Sequence, residues 1–400
     1  MQSPSWIILI TQMMFLGPNT ANAVFQNYFA NRSDGRMETP MCDDGNTLNF
    51  SAGEDGQPNA LIYNTFDRVV IVCVLPVIVA LGLFTNVSFL FVVARVPRMR
   101  TVTNLYLVQL AASDLLFLVL TEIQKLVYYS ASPLTMDMSV AGYAGSVALY
   151  FVVQLVHTET MILVSVVALE KYFAIFKPLH FRAHWSQGNR SRAIKMSIGT
   201  WVLSAVVVIT VGPWVSDFRL TCIVWPEYSE FDGIPDRMYT LKVISEVVTT
   251  YELVTVHQRD SLWYTITFVI IASANSVLFV RIVRALNMRV MPIGPQNAVL
   301  EARITRTRNQ VAWMLVVNGV IFFVLMAPRK FYDLARTISM NTGHDLLGYR
   351  PRSYILNAFS ILTYLNSAVN PMVYSVVSLR YRRAFRRAFT FQQRKTTFLN

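Results

Sequence analysis

Charge and cysteine are both scarce in this sequence. Only 14% of the 400 residues are Asp, Glu, Lys or Arg, while 54% are hydrophobic, far from the balance of a soluble domain. A soluble chain of this length needs more polar surface, so much of the apolar content must face something other than water. Three cysteines, Cys42, Cys73 and Cys222, exclude a disulfide-dense scaffold and show no metal-ligand spacing. No repeat with a period of roughly 20–50 residues is present, which excludes a solenoid. The net charge of +12 and a pI near 9.7 could point to nucleic acid. The basic residues instead flank apolar runs, so no nucleic-acid partner is expected.

What the chain has in abundance is long apolar runs. Seven reach the roughly 20 residues that span a bilayer as a helix: Val69–Ala94, Leu105–Tyr129, Gly145–Ile175, Ile194–Trp214, Leu262–Val283, Val311–Leu334 and Ser353–Val377. The shorter run Trp6–Leu16, before Ala21-Asn22-Ala23, has the shape of a secretory signal peptide, although no Lys or Arg precedes it. An uncleaved N-terminal segment is the alternative. The expected fold is an all-α, seven-transmembrane helix bundle with a short amphipathic eighth helix. Its divisions are a signal peptide at 1–23, an extracellular segment at 24–66, the bundle at 67–377, and an amphipathic helix with a cytoplasmic tail at 378–400. Orientation follows from the positive-inside rule. Arg95, Arg98, Arg100, Arg182, Arg284 and the arginines after Ser378 share one side, while Asp43, Asp44, Glu54, Glu227 and Asp236 share the other. That places the N-terminus outside a plasma-membrane protein. Sequons at Asn31 and Asn49 fall outside, where N-glycosylation occurs; those at Asn86 and Asn189 read as chance matches.

An ionisable group at bilayer depth is costly and is a functional candidate. Asp114 lies mid-span, and the last span carries Asn366, Ser367, Asn370 and Pro371 within about two turns. With Thr160 of the third span, these could hold a sodium ion and its water. An ion-free network that fixes helix packing is the alternative. No second acid is expected at the depth of Asp114 and the membrane histidines do not cluster, so the chain does not read as an enzyme.

Together, the segment around Asp114, Trp201, Phe322-x-x-x-Met326-Ala327-Pro328 and Asn370-Pro371-x-x-Tyr374 resemble rhodopsin-class G-protein-coupled receptors over all seven spans. The resemblance implies that Glu170-Lys171-Tyr172, with Tyr374, forms the surface that contacts a heterotrimeric G protein. Lys171 stands where the family has arginine, which removes the planar five-donor fork. The aromatics and arginines of Ser378–Phe389 resemble the family's eighth helix, lying on anionic lipid. Other departures are Ser146 at the position of the disulfide cysteine of span three, Ile271 for a proline, Phe279 for a tyrosine and Met326 for a tryptophan. With Ser146 in that place, a Cys42–Cys222 bridge is the expected replacement, and two free thiols or a partner chain are the alternatives.

The family's agonist cavity implies a ligand site among Lys125, Gln154, His157, Arg329, Lys330, Asp333, Asn357 and Tyr364. Arg329 or Lys330 could equally pair with Asp333. Tyr364 replaces a retinal-bearing lysine and Val153 an amine-binding aspartate, which argues against an opsin or an aminergic receptor. Local runs such as Phe173-Ala174-Ile175-Phe176 and Trp201-Val202-Leu203-Ser204 resemble the neuromedin, ghrelin and thyrotropin-releasing-hormone receptor group. An extracellular, peptidic ligand is therefore expected. A lipid or chemosensory receptor of the same fold, or a seven-span transporter, are the rivals.

Overall fold

The computed structural model describes residues 42, 47–51, 58–176, 190–211, 216–227, 229–243, 256–287, 298–342 and 349–390. The expected signal peptide, Asn31, Asn189 and the tail beyond Thr390 lie outside the described residues. Seven long helices are present among them: α1 Thr65–Arg95, α2 Val102–Ala131, α3 Gly142–Phe176, α4 Arg190–Val211, α5 Val256–Asn287, α6 Ala298–Thr342 and α7 Tyr349–Val377. A shorter helix, α8 Leu379–Phe389, follows. Strands β1 Thr47–Asn49, β2 Ser216–Val224 and β3 Arg237–Val243 form one small sheet in the order β1-β2-β3.

A chain crossing lipid must satisfy its own backbone hydrogen bonds, which is why the apolar runs fold as helices. Six of these helices are long and apolar enough to cross a membrane on length and composition. The seventh, α7, has 29 residues, about 43 Å at 1.5 Å each. Its polarity comes from Asn357, Asn366 and Asn370, all buried against neighbouring helices. On α1 the buried residues Leu75, Ile78, Gly82, Asn86, Phe89 and Val93 recur every three or four positions. Val77 and Phe84, at 69% and 71% exposure, point away. Apolar residues likewise cover the outer faces of α4 (Ile198, Val202, Val206) and α5 (Ile266, Ile270, Val277). Such a continuous exposed apolar surface suits lipid, not water.

Around the ring α1 packs on α2, α2 on α3, α3 on α4 and α5, α5 on α6, α6 on α7, and α7 back on α1. Three prolines interrupt these helices, and each leaves a carbonyl without its N–H. Before Pro76 the turn Val70–Val74 widens, and the Leu75 N–H donates to the Val70 carbonyl. On α7 Pro371 leaves the Ser367 carbonyl free, and Asn86 Nδ2 of α1 donates to it at 3.0 Å. Thr85 Oγ1 donates to the adjacent Ala368 carbonyl at 2.8 Å. Asn86, fully buried and so engaged, cannot serve as a glycosylation acceptor.

Close approach of α1 to α2 and α7 requires Gly82. A Cβ there would lie 2.4 Å from Leu118 Cδ1 and 3.2 Å from Ala368 Cβ. Gly82→Val should destabilise the bundle by about 1–3 kcal/mol, read as a lower unfolding temperature of purified protein. An unchanged temperature would show that the helices have room to separate.

Candidate functional site

Polar and charged side chains collect at three levels of the bundle. At one end the sheet caps the helices. Strand β2 pairs antiparallel with β3, from Ser216↔Val243 to Cys222↔Arg237. Strand β1 lies parallel on β2, with Thr47 opposite Cys222. Cys42 and Cys222 form a disulfide with Cα atoms 5.8 Å apart, joining positions 180 residues distant. Closing so long a loop stabilises by up to about 5 kcal/mol in the chain-entropy view. The sheet is held to the α2–α3 connection through Asp137 Oδ1, which accepts from the N–H of Ser139 at 2.9 Å and of Tyr239 at 3.3 Å. Phe50, Leu61, Leu134, Ile223 and Met238 form a small apolar core beneath it. Burial pushes the Tyr63 hydroxyl up to about 12, with the Asp67 and Asp137 charges adding to it, so it stays neutral at physiological pH. Ser146, at the start of α3, is buried with an unpartnered hydroxyl.

Below the sheet, the candidate ligand residues divide into committed and open groups. Arg329 Nε donates to both Asp333 oxygens at 3.0 Å, a pairing that the i,i+4 spacing favours. Asn357 Nδ2 donates to Asp67 Oδ1, and Asp67 also completes the cap of α1 with Asn64. Both residues therefore hold structure together. Lys125 Nζ donates to Ser360 Oγ at 3.2 Å, and Lys330 Nζ lies 5.7 Å from the Tyr264 ring centroid. The buried His157 Nε2 has no hydrogen-bond partner among the described residues, and the buried Tyr364 hydroxyl lies against Thr121 and Glu122. Gln154 is half-buried on α3.

At mid-depth Asn370 Nδ2 donates to Asp114 Oδ2 at 2.7 Å, joining α7 to α2. Asn366 Oδ1 is buried without a hydrogen-bond partner among the described residues. Thr160 Oγ1 donates to the Val156 carbonyl at 3.1 Å, within its own helix. The expectation that no second acid lies near Asp114 is wrong. Glu159 of α3 is fully buried and accepts from Ser113 Oγ at 2.7 Å and from Gln109 Nε2. Gln109 Nε2 also reaches Thr200 Oγ1 of α4 at 2.9 Å. Glu159 binds three helices together, and an acid between two threonines in an apolar run was the signal that could have found it.

At the end opposite the sheet, Lys171 Nζ lies 2.8 Å from Glu170 Oε1 and 2.6 Å from Thr103 Oγ1 of α2. Arg281 of α5 donates to the Tyr172 hydroxyl at 3.3 Å. Tyr374 is buried edge-on against Phe89, with ring centroids 5.4 Å apart. Helix α8 buries Tyr381, Ala384 and Ala388, and Tyr381 donates to Asn104 Oδ1. Phe279 fills the space over Gly319, where a Cβ would stand 2.3 Å from its ring.

Residues 85–374 match the 7 transmembrane receptor (rhodopsin family). The chain belongs to this family. Its similar relatives include the thyrotropin-releasing hormone receptor of Homo sapiens, 25% identical over 85% of this chain and 82% of its own. The galanin receptor 2a of Danio rerio is 25% identical over 81% and 78%. The neuropeptide Y receptor type 2 of Cavia porcellus is 28% identical over 82% and 78%. This rhodopsin-family receptor is thus a multi-pass membrane protein, with α1 to α7 as its spans, and it belongs to a family of signalling receptors rather than enzymes.

Removing the Glu159 carboxylate would leave the buried Ser113 hydroxyl and one N–H of Gln109 without their acceptor, although Gln109 keeps Thr200. Glu159→Ala should therefore cost the receptor about 2–4 kcal/mol, and Glu159→Gln, which keeps one acceptor, should cost less. Thermal unfolding of both variants checks the order; equal stability of Glu159→Ala and wild type would refute it.

Proposed function

We propose that this receptor binds an extracellular peptide at its sheet-capped end and activates a heterotrimeric G protein at its opposite, basic end. The observation that carries the reading is the pairing of two sites across one bundle: a sheet-covered group of polar side chains with cations of α2 and α6, and the clasp of Lys171 with Glu170 and Thr103. Three lines support the sheet end as the outer one. The disulfide belongs to an oxidising compartment, Asn49 of β1 sits in a glycosylation sequon, and the arginines gather at the other end. The relatives named for thyrotropin-releasing hormone, galanin and neuropeptide Y favour a peptide over a lipid or odorant. Lys125 and Lys330 suit its carbonyl or carboxylate oxygens, while Gln154, His157 and Tyr364 line the same region.

Inside, the clasp ties α3 to α2 and keeps Lys171 turned into the bundle; opening it frees Glu170, Lys171 and Tyr172 for the G protein. The exposed Arg382, Arg383, Arg386 and Arg387 of α8 rest on anionic lipid. Asp114, with Thr160, Asn366, Ser367 and Asn370, offers only oxygen ligands and amides, and the orphaned Asn366 oxygen fits a sodium ion held there. Such an ion would neutralise the buried carboxylate. In that case sodium chloride should raise the unfolding temperature above that in N-methylglucamine chloride of equal ionic strength, and Asp114→Asn should erase the difference. A difference that persists in the variant would leave the cluster as a packing network.

A peptide-library screen with a promiscuous G protein and a calcium readout tests the receptor reading. Peptide agonists should lose at least about tenfold in potency on Lys330→Ala at equal surface expression, the scale of one charge-assisted hydrogen bond. A screen in which only lipids activate would overturn the peptide class. Thr103→Val, which loosens the clasp without touching the Lys171 charge, should raise ligand-free nucleotide exchange about fivefold, the effect of about 1 kcal/mol. Unchanged basal exchange would show that the clasp restrains nothing.

A further inference from the structure

We propose that Glu122 is the anchor for a basic group of the ligand, an ammonium or a guanidinium. The inference rests on the reading of the sheet-capped end as the ligand site and adds the charge that the ligand must carry there. Glu122 lies in the last third of α2 and is 6% exposed. Its one hydrogen-bonding neighbour among the described residues is the neutral Tyr364 hydroxyl, and no cation closes on either carboxylate oxygen. The other buried acids, Asp67, Asp114, Asp137, Glu159 and Glu170, each hold at least one hydrogen bond. A carboxylate taken out of water without a compensating cation is costly, so one that persists marks a place where a cation can arrive.

The sequence supplies an obvious internal partner, Lys125, three residues along the same helix. Its charge acts on Glu122, yet its ammonium is drawn across to Ser360 Oγ on α7, 3.2 Å away. Anion and cation are thus held apart, each with bonding capacity to spare. Beside Glu122 stands the buried Tyr364 hydroxyl, which interacts with both Glu122 and Thr121. Tyr364 packs edge-on against Phe117 with ring centroids 5.8 Å apart, so an aromatic surface borders the carboxylate. Those are the elements that recognise an organic cation: a desolvated anion, a neighbouring hydroxyl and a π face. The charges of Lys125 and Arg329, which act on one another, give this region a polarity. A ligand would set its basic group at Glu122 between α2 and α7, and its carbonyl or acidic group toward α6.

Benzamidine, a planar cation, and benzamide, its neutral isostere, test the anchor on intact receptor in lipid nanodiscs. Benzamidine should raise the unfolding temperature of wild type while benzamide does not. The rise should vanish in Glu122→Gln, weaken in Glu122→Asp and grow in Lys125→Met, which removes the competing cation. Equal effects of the two compounds, no effect of benzamidine on wild type, or a rise that survives Glu122→Gln would each overturn the proposal. Size-exclusion profiles check that the Gln variant is folded, and the Asp variant retains the charge if it is not. Free-amine and N-acetylated peptide pools, applied to cells, separate the two readings. Equal activation by both pools, unchanged in Glu122→Gln, would reject the anchor and keep the peptide receptor. Benzamidine binding through Glu122 with no active peptide would do the reverse.

Discussion

Inside a hydrocarbon layer no water is present to satisfy a backbone N–H or carbonyl, and the architecture follows from that constraint. It makes each span a helix, and it makes every proline in a span a local problem that another group must solve. The Ser367 carbonyl released by Pro371 is met by Asn86 from α1, and the neighbouring Ala368 carbonyl by Thr85. The kinked helix is thus bound to its neighbour at the turn where it is weakest. Asn370, one residue before the proline, then reaches Asp114 on α2. A single helix break so organises contacts among three spans.

The same constraint sorts the polar side chains. Lipid accepts none of them, so they gather inside, and their pairing there depends on which helices are adjacent. Mid-depth groups, above all Glu159 with Gln109 and Ser113, bind α2, α3 and α4 into one unit. Other groups are less completely paired, as Asn366 at mid-depth and His157 nearer the sheet show. A packing network and a binding site differ in this respect: the first consumes its hydrogen-bonding capacity internally, and the second leaves some for a guest.

Much of the frame was legible in the residues. The spans emerged from apolar runs, because a helix of fixed rise must be about as long as the bilayer is thick. The lower hydropathy of α7 was already visible in Asn357, Asn366, Asn370 and Pro371. The candidate ligand residues were harder to judge. Arg329 and Asp333 sit one turn apart, so their pairing was open to view as an alternative, and the structure adopts it. Asn357 gave no such warning; its partner Asp67 is 290 residues away. Glu159 and Glu122 were passed over because an acid in an apolar run has no meaning until the groups facing it are known.

Composition and periodicity alone determined that this chain is a seven-helix membrane bundle, with its positive charge gathered at one end and its motif residues placed on particular spans. These properties depend on residues near one another along the chain. Only the tertiary structure decided which buried charges are spent and which are open, since that depends on distances across helices. Lys125 could have closed on Glu122 three residues away, but Ser360 on α7 lies where it captures the ammonium instead.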